Sequence, residues 1–165
     1  MIKAIEKNLQ RGIQLLNLIS DDDYSNSSIP PYFSSVGCHI RHVLDMFSCV
    51  LKGKKSGIVD FTCRERNEAI ELKCEAGIDY FHVIINKLNL ISKEELSSEI
   101  LVTDDLGLGK ITSKSTLGAI LMQTQSHAIH HYASIANIIY QQGIELPDSD
   151  FGFNPTTPNK NLRGS

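Results

Sequence analysis

What this chain lacks narrows it first. Its 165 residues include no apolar run approaching the roughly 18–20 residues that a bilayer span needs. The N-terminus, Met1-Ile2-Lys3-Ala4-Ile5-Glu6-Lys7, is an amphipathic helix start with charges interspersed. It has no apolar h-region and no small-residue cleavage site, so it is not read as a signal peptide, and the expected location is the cytoplasm. Positive charge is not concentrated either. The formal net charge is -3, and the densest basic patch is Lys52, Lys54 and Lys55, which reads as a solvated helix end. Nucleic-acid binding is not expected from such a balance.

Cysteine pairing is also missing. Cys38, Cys49, Cys63 and Cys74 include no C-x-x-C pair and no zinc-knuckle spacing, so they read as small apolar residues of the core and its margin. There is no internal repeat and no low-complexity segment. A hydrophobic content of 41% is enough for a normal core. The length suits one domain, taken here as residues 1–165, because two independent cores would each be small.

Helical period is what the chain has in quantity. Ile2, Ile5, Leu9, Ile13, Leu16 and Ile19 recur every three to four residues and predict a helix over 1–19. Asp21-Asp22-Asp23 and the Ser/Asn/Pro-rich stretch to Pro31 predict its end and a long loop. A second helix is expected to start at Ser34 or Ser35, either a good N-cap, and to stop near Gly53. Val36, Ile40, Val43, Leu44, Phe47 and Leu51 mark its apolar arc, and Arg41, Asp45, Ser48 and Lys52 its wet side. Residues 54–64 read as a connection, and 65–90 as a third helix.

The segment 99–113 holds two short β-prone runs about Asp104–Gly109 and predicts a small hairpin or an extended loop. A fourth helix is expected from Ser115 or Thr116 to Gln142, with Gly143 as its stop. The tail with Pro147, Pro155 and Pro158 should be irregular. Four such segments specify an all-α fold, a four-helix bundle with long connections.

Five of the six histidines fall in two groups, His39 and His42 on the second helix and His127, His130 and His131 on the fourth. The apolar stripe of the fourth helix is Leu117, Ile120, Leu121, Thr124, Ala128, Ile135 and Ile138. At 100° per residue His131 lies near its middle, His127 at its edge and His130 outside it. Two imidazoles at i and i+4 are therefore aimed inward, and buried imidazoles need partners for every nitrogen. Their Cβ atoms sit about 5–6 Å apart, and both Nε2 atoms can reach one ion at about 2.0–2.1 Å. The bland alternative is a pair of satisfied core histidines. The helical H-E-x-x-H zinc motif is absent, because Ala128 stands where its glutamate base would be. His39 lies inside the second helix's apolar arc and His42 at its border. Either can face the fourth helix across a bundle, and depth slightly favours His39.

The run Ser35-Val-Gly-Cys-His-Ile-Arg-His-Val-Leu-Asp45, followed far downstream by His127-Ala-Ile-His-His131, resembles the DinB-like (YfiT-like) superfamily of metal-binding four-helix bundles. The likeness runs from the first helix to about Tyr140. It implies a divalent metal ion, zinc or nickel, on His42, His127 and His131, with His39 as a neighbour of the site. It leaves His130 on the surface or at an interface and His82 without a role, while the place of Asp45 on the helix's wet side puts that residue on the surface or just outside the ligands. What it implies about activity is a metal-dependent enzyme of the thiol-S-transferase or hydrolase type. Its partners would be a small-molecule substrate and a low-molecular-weight thiol, and its form a homodimer. The alternatives are a non-catalytic metal-binding or stress-response bundle, and a bundle whose histidines are merely polar core.

Overall fold

A computed structural model describes residues 1–157; the expectation for Pro158 lies outside the described residues. The elements run α1 (Ile2–Leu16), α2 (Asp21–Ser25), α3 (Val36–Gly53), β1 (Ile58–Asp60), α4 (Ala69–Leu72), α5 (Cys74–Leu88), β2 (Glu99–Asp105), β3 (Lys110–Thr116) and α6 (Leu117–Gln141), with a 3₁₀ turn at Glu95–Ser97. The four long helices pack with α3 against α5 and α6, and α1 against α5. Their stripes meet in one core that includes Leu9, Phe47, Phe81, Ile84, Leu121 and Tyr132.

The helix starts follow local chemistry. Ser35 caps α3 by accepting from the Cys38 N–H, and Thr116 caps α6 by accepting from the Ala119 N–H. Each satisfies one of the amide donors that a helix N-terminus leaves open. Gly143 follows α6 at φ +73, a left-handed conformation that glycine adopts without steric cost.

The fold is mostly helical, but it also carries a three-stranded sheet in the order β1-β2-β3, which amends the all-α expectation. β2 and β3 form an antiparallel hairpin from Glu99↔Thr116 to Asp105↔Lys110. In its turn the Asp105 carboxylate accepts from the Gly107 and Gly109 amides. β1, inside the segment read as a plain connection, pairs in parallel with β2 through Val59↔Val102. Three residues are too few to show an alternating pattern. The pairing depends on a partner more than 40 residues away, which no local reading supplies.

Two other boundaries differ from the helical period. Ser20 and Asp23 form a reciprocal capping box, so a five-residue helix occupies the start of the first long loop. The expected third helix is broken at Lys73, which is extended at φ -132 and ψ 123. There Asp21 accepts from the Cys74 N–H at 2.9 Å and pairs with the Lys73 ammonium at 2.9 Å. The break lets α4 approach α3 so closely that a Cβ on Gly37 would overlap the Glu71 carbonyl.

Most of the supposed wet side of α3 is also closed, and of its four residues Lys52 stays exposed. Arg41 and Asp45 are 8% and 3% exposed. The Arg41 guanidinium donates to Asp45 Oδ2 at 2.7 Å and to Glu71 Oε1, and the Tyr80 hydroxyl donates to Asp45 Oδ1 at 3.2 Å. Charged groups go inside only when paired in this way. After α6 the chain has no further helix or strand among the described residues, yet it is anchored. Phe151 is 1% exposed and stacks on Tyr132 with centroids 4.9 Å apart.

Candidate metal centre

α3 and α6 lie side by side and bring His42, His127 and His131 together, with one ring nitrogen of each within 4.8 Å of the others. His42 Nε2 stands 2.8 Å from His127 Nε2, and His131 Nε2 stands 3.0 Å from the same atom. Three like nitrogens therefore converge on one point. A neutral imidazole offers one N–H and one lone pair, so His127 Nε2 cannot bond well to both neighbours at once. A cation resolves the conflict by accepting all three lone pairs. Two imidazole nitrogens on one ion at about 2.0–2.1 Å are about 2.8–3.4 Å apart for angles between a right angle and tetrahedral. The observed separations lie at the short end of that span, so the donor set fits a divalent ion.

All three rings are half-buried, and burial is the largest influence on their titration. It lowers the His42 pKa from 6.5 to about 4, with His127 and Arg64 adding positive charge nearby. His131 falls further, to about 3, helped by His42 and His127. His127 is lowered too, and there the carboxylate of Asp104 acts in the opposite sense. Each ring is thus held neutral near pH 7, the form that donates a lone pair to a metal.

His39 does not join the trio. Its Nδ1 lies 2.8 Å from His131 Nδ1, and its Nε2 lies 2.9 Å from Ser34 Oγ. One proton arrangement satisfies this chain and leaves the centre its lone pair. His131 donates from Nδ1 to His39 Nδ1, and His39 donates from Nε2 to Ser34. The Nε2 of His131 is then unprotonated and faces His42 and His127. Such outer hydrogen bonds set the tautomer and orientation of metal-binding histidines. Helix depth alone favoured His39 over His42 for the inner position. The two differ by three residues, and the lateral offset between α3 and α6 decides which one reaches the convergence point.

His130 is exposed, its ring 5.3 Å from that of His131, and His82 is exposed on α5. Asp45 is buried in the Arg41 and Tyr80 network. Two residues of the site's surroundings were missed by periodicity. From the sequence Ser34 reads only as a helix cap, and Arg64 sits in a loop where no repeating pattern exists.

Similarity to known proteins now bears on this arrangement. No protein-family description matches the chain, and no curated protein does. Among solved structures it is similar to a DinB-like protein, YjoA from Bacillus subtilis. That match has 24% identity and a TM-score of 0.67, and it covers 89% of this chain and 95% of that one. The chain has a DinB-like fold. In this DinB-like fold the histidine trio lies across the contact of α3 and α6, and no described helix is long and apolar enough to cross a membrane.

Proposed function

We propose that this protein is a divalent-metal-dependent enzyme of the thiol-S-transferase or hydrolase type, with zinc or nickel held by His42, His127 and His131. The observation that carries the reading is the convergence of three Nε2 atoms on one point with no carboxylate among them. When bound there, a divalent ion lowers the pKa of a thiol or water that it binds and so supplies a nucleophile near neutral pH.

The chain's own residues prepare that chemistry. Three neutral imidazoles bring no negative charge, so they leave the full 2+ of the ion to act on an incoming ligand. Burial keeps them unprotonated, and the Ser34–His39 chain holds the His131 ring in one orientation. Three protein ligands also leave coordination positions for other molecules, as catalytic sites do. Both zinc and nickel accept imidazole. The reading further includes a small-molecule substrate, a low-molecular-weight thiol as partner, and a cytoplasmic homodimer.

The test has two parts. Elemental analysis of protein purified without a chelating tag should find about one equivalent of a divalent metal per chain. The metal-loaded protein is then assayed with an electrophilic substrate, with and without low-molecular-weight thiols. Turnover that needs the thiol and disappears in His127→Ala supports transfer, and thiol-independent turnover supports hydrolysis. Metal without turnover across a broad panel would leave a non-catalytic metal-binding bundle, and protein free of metal would overturn the reading.

A further inference from the structure

The charge balance around the trio is uneven. Two arginines act on His42, namely Arg41 and Arg64. Arg41 is neutralised by Asp45 and Glu71. Arg64 has no such partner among the described residues. It is half-buried, and among the described residues its guanidinium makes one hydrogen bond, from Nη1 to Met46 Sδ at 3.5 Å, and no ion pair. A thioether is a weak acceptor and leaves nearly all five guanidinium donors unused.

The position of this cation is specific. Met46 follows His42 by one helical turn on α3, so the guanidinium lies over the same helix face, one turn from the convergence point. Its charge acts on both His42 and His127, and so reaches the α6 side of the site as well. The flanking loop has cause to hold it there. β1 runs parallel to β2 and packs on α3, and the Asp60 carboxylate closes a turn by accepting from the Thr62 N–H at 2.8 Å and hydroxyl at 2.7 Å. Arg64 leaves that turn two residues later.

From this placement we propose that Arg64 is a specificity-determining residue that binds the carboxylate of an anionic substrate or thiol seated at the histidine trio. A planar guanidinium with free donors matches a carboxylate with two parallel hydrogen bonds, a geometry that lysine does not reproduce. An unpaired half-buried cation beside a centre that itself takes a cation is unfavourable without an anion between them, and a bound carboxylate relieves both. The inference rests on the metal-dependent reading above and names its ligand class as small carboxylate-bearing thiols and substrates.

The test compares two thiols of one length on nickel- or cobalt-loaded protein, 3-mercaptopropionate and its neutral amide, followed by thiolate-to-metal absorption. Wild type should bind the carboxylate roughly ten- to hundredfold more tightly than the amide, the range expected for hydrogen bonds to a charged group. Arg64→Gln should remove that preference while leaving the amide's affinity and the metal content unchanged, and Arg64→Lys should restore part of it. Equal affinities in wild type, or a preference that survives in Arg64→Gln, would overturn the role of Arg64 and leave the metal-thiol reading standing. Metal-loaded wild type that shows absorption with neither thiol would overturn that reading, and the assignment with it.

Discussion

His39 and His131 face each other through their Nδ1 atoms at 2.8 Å, which places His39 behind one member of the trio and not within it. If this contact sets the His131 tautomer, His39→Ala should weaken metal affinity by roughly 10–100-fold without abolishing binding. Ser34→Ala, one link further out, should do less. Competition titration against a chromophoric chelator measures both. Unchanged affinity in His39→Ala would show that His131 needs no outer partner.

Removing a member of the trio should have a larger effect. His42→Ala, His127→Ala and His131→Ala are each expected to empty most of the site, whereas His130→Ala and His82→Ala keep wild-type metal content. Elemental analysis of the purified variants decides this. If His39→Ala empties the site and His42→Ala leaves it full, the inner histidine of α3 has been misassigned.

Low pH should destabilise the metal-free protein in a defined window. His42 and His131 titrate in the folded state at about 4 and about 3, against 6.5 for an unperturbed ring. Below pH 6.5 the unfolded chain takes up protons at these sites while the folded chain resists, so protons favour unfolding. Stability is therefore full above about pH 6.5 and falls as pH drops toward 4. Thermal unfolding in metal-free buffer from pH 7.5 to 4.5 should show this fall, and His131→Phe should flatten it.

The buried Arg41 network supplies a prediction outside the trio. Asp45 pairs with Arg41 and accepts from Tyr80, and its side chain is 4% exposed. Asp45→Ala leaves the guanidinium half-satisfied in a closed environment and should cost about 3–5 kcal/mol of folding stability, read by urea unfolding. A change under about 1 kcal/mol would mean that Glu71 or water takes over the pairing.

Phe151 stacks on Tyr132 and anchors the segment after α6. Phe151→Ala should destabilise the fold by about 3 kcal/mol or more, as expected when a buried aromatic leaves a cavity. Metal affinity should stay close to wild type, since the ring is packed on Tyr132 and not among the trio. Loss of metal in this variant would show that the segment also supports α6 around His131.

Much of the bundle was legible in the residues. Apolar spacing marked α1, α3 and α6 to within a few positions, and Ser34 or Ser35, Ser115 or Thr116, and Gly143 marked ends of α3 and α6 to within one residue, because period and capping are local properties. The i, i+4 pair His127 and His131 was legible for the same reason. What failed locally involved distant partners. Asp21 breaks the third helix at Lys73, β1 exists only because β2 lies beside it, and Arg41 and Asp45 are buried because Glu71 and Tyr80 meet them.

The sequence by itself therefore determined the mostly helical character, the helix starts and the inward histidine pair, since each depends on residues within one or two turns. Only the tertiary structure decided which histidine of α3 meets that pair, that His39 stands behind His131, and that Arg64 makes no ion pair among the described residues. Those outcomes depend on the offset and rotation between packed elements. A helical period specifies which face is buried, and it says nothing of how far one buried face slides along another.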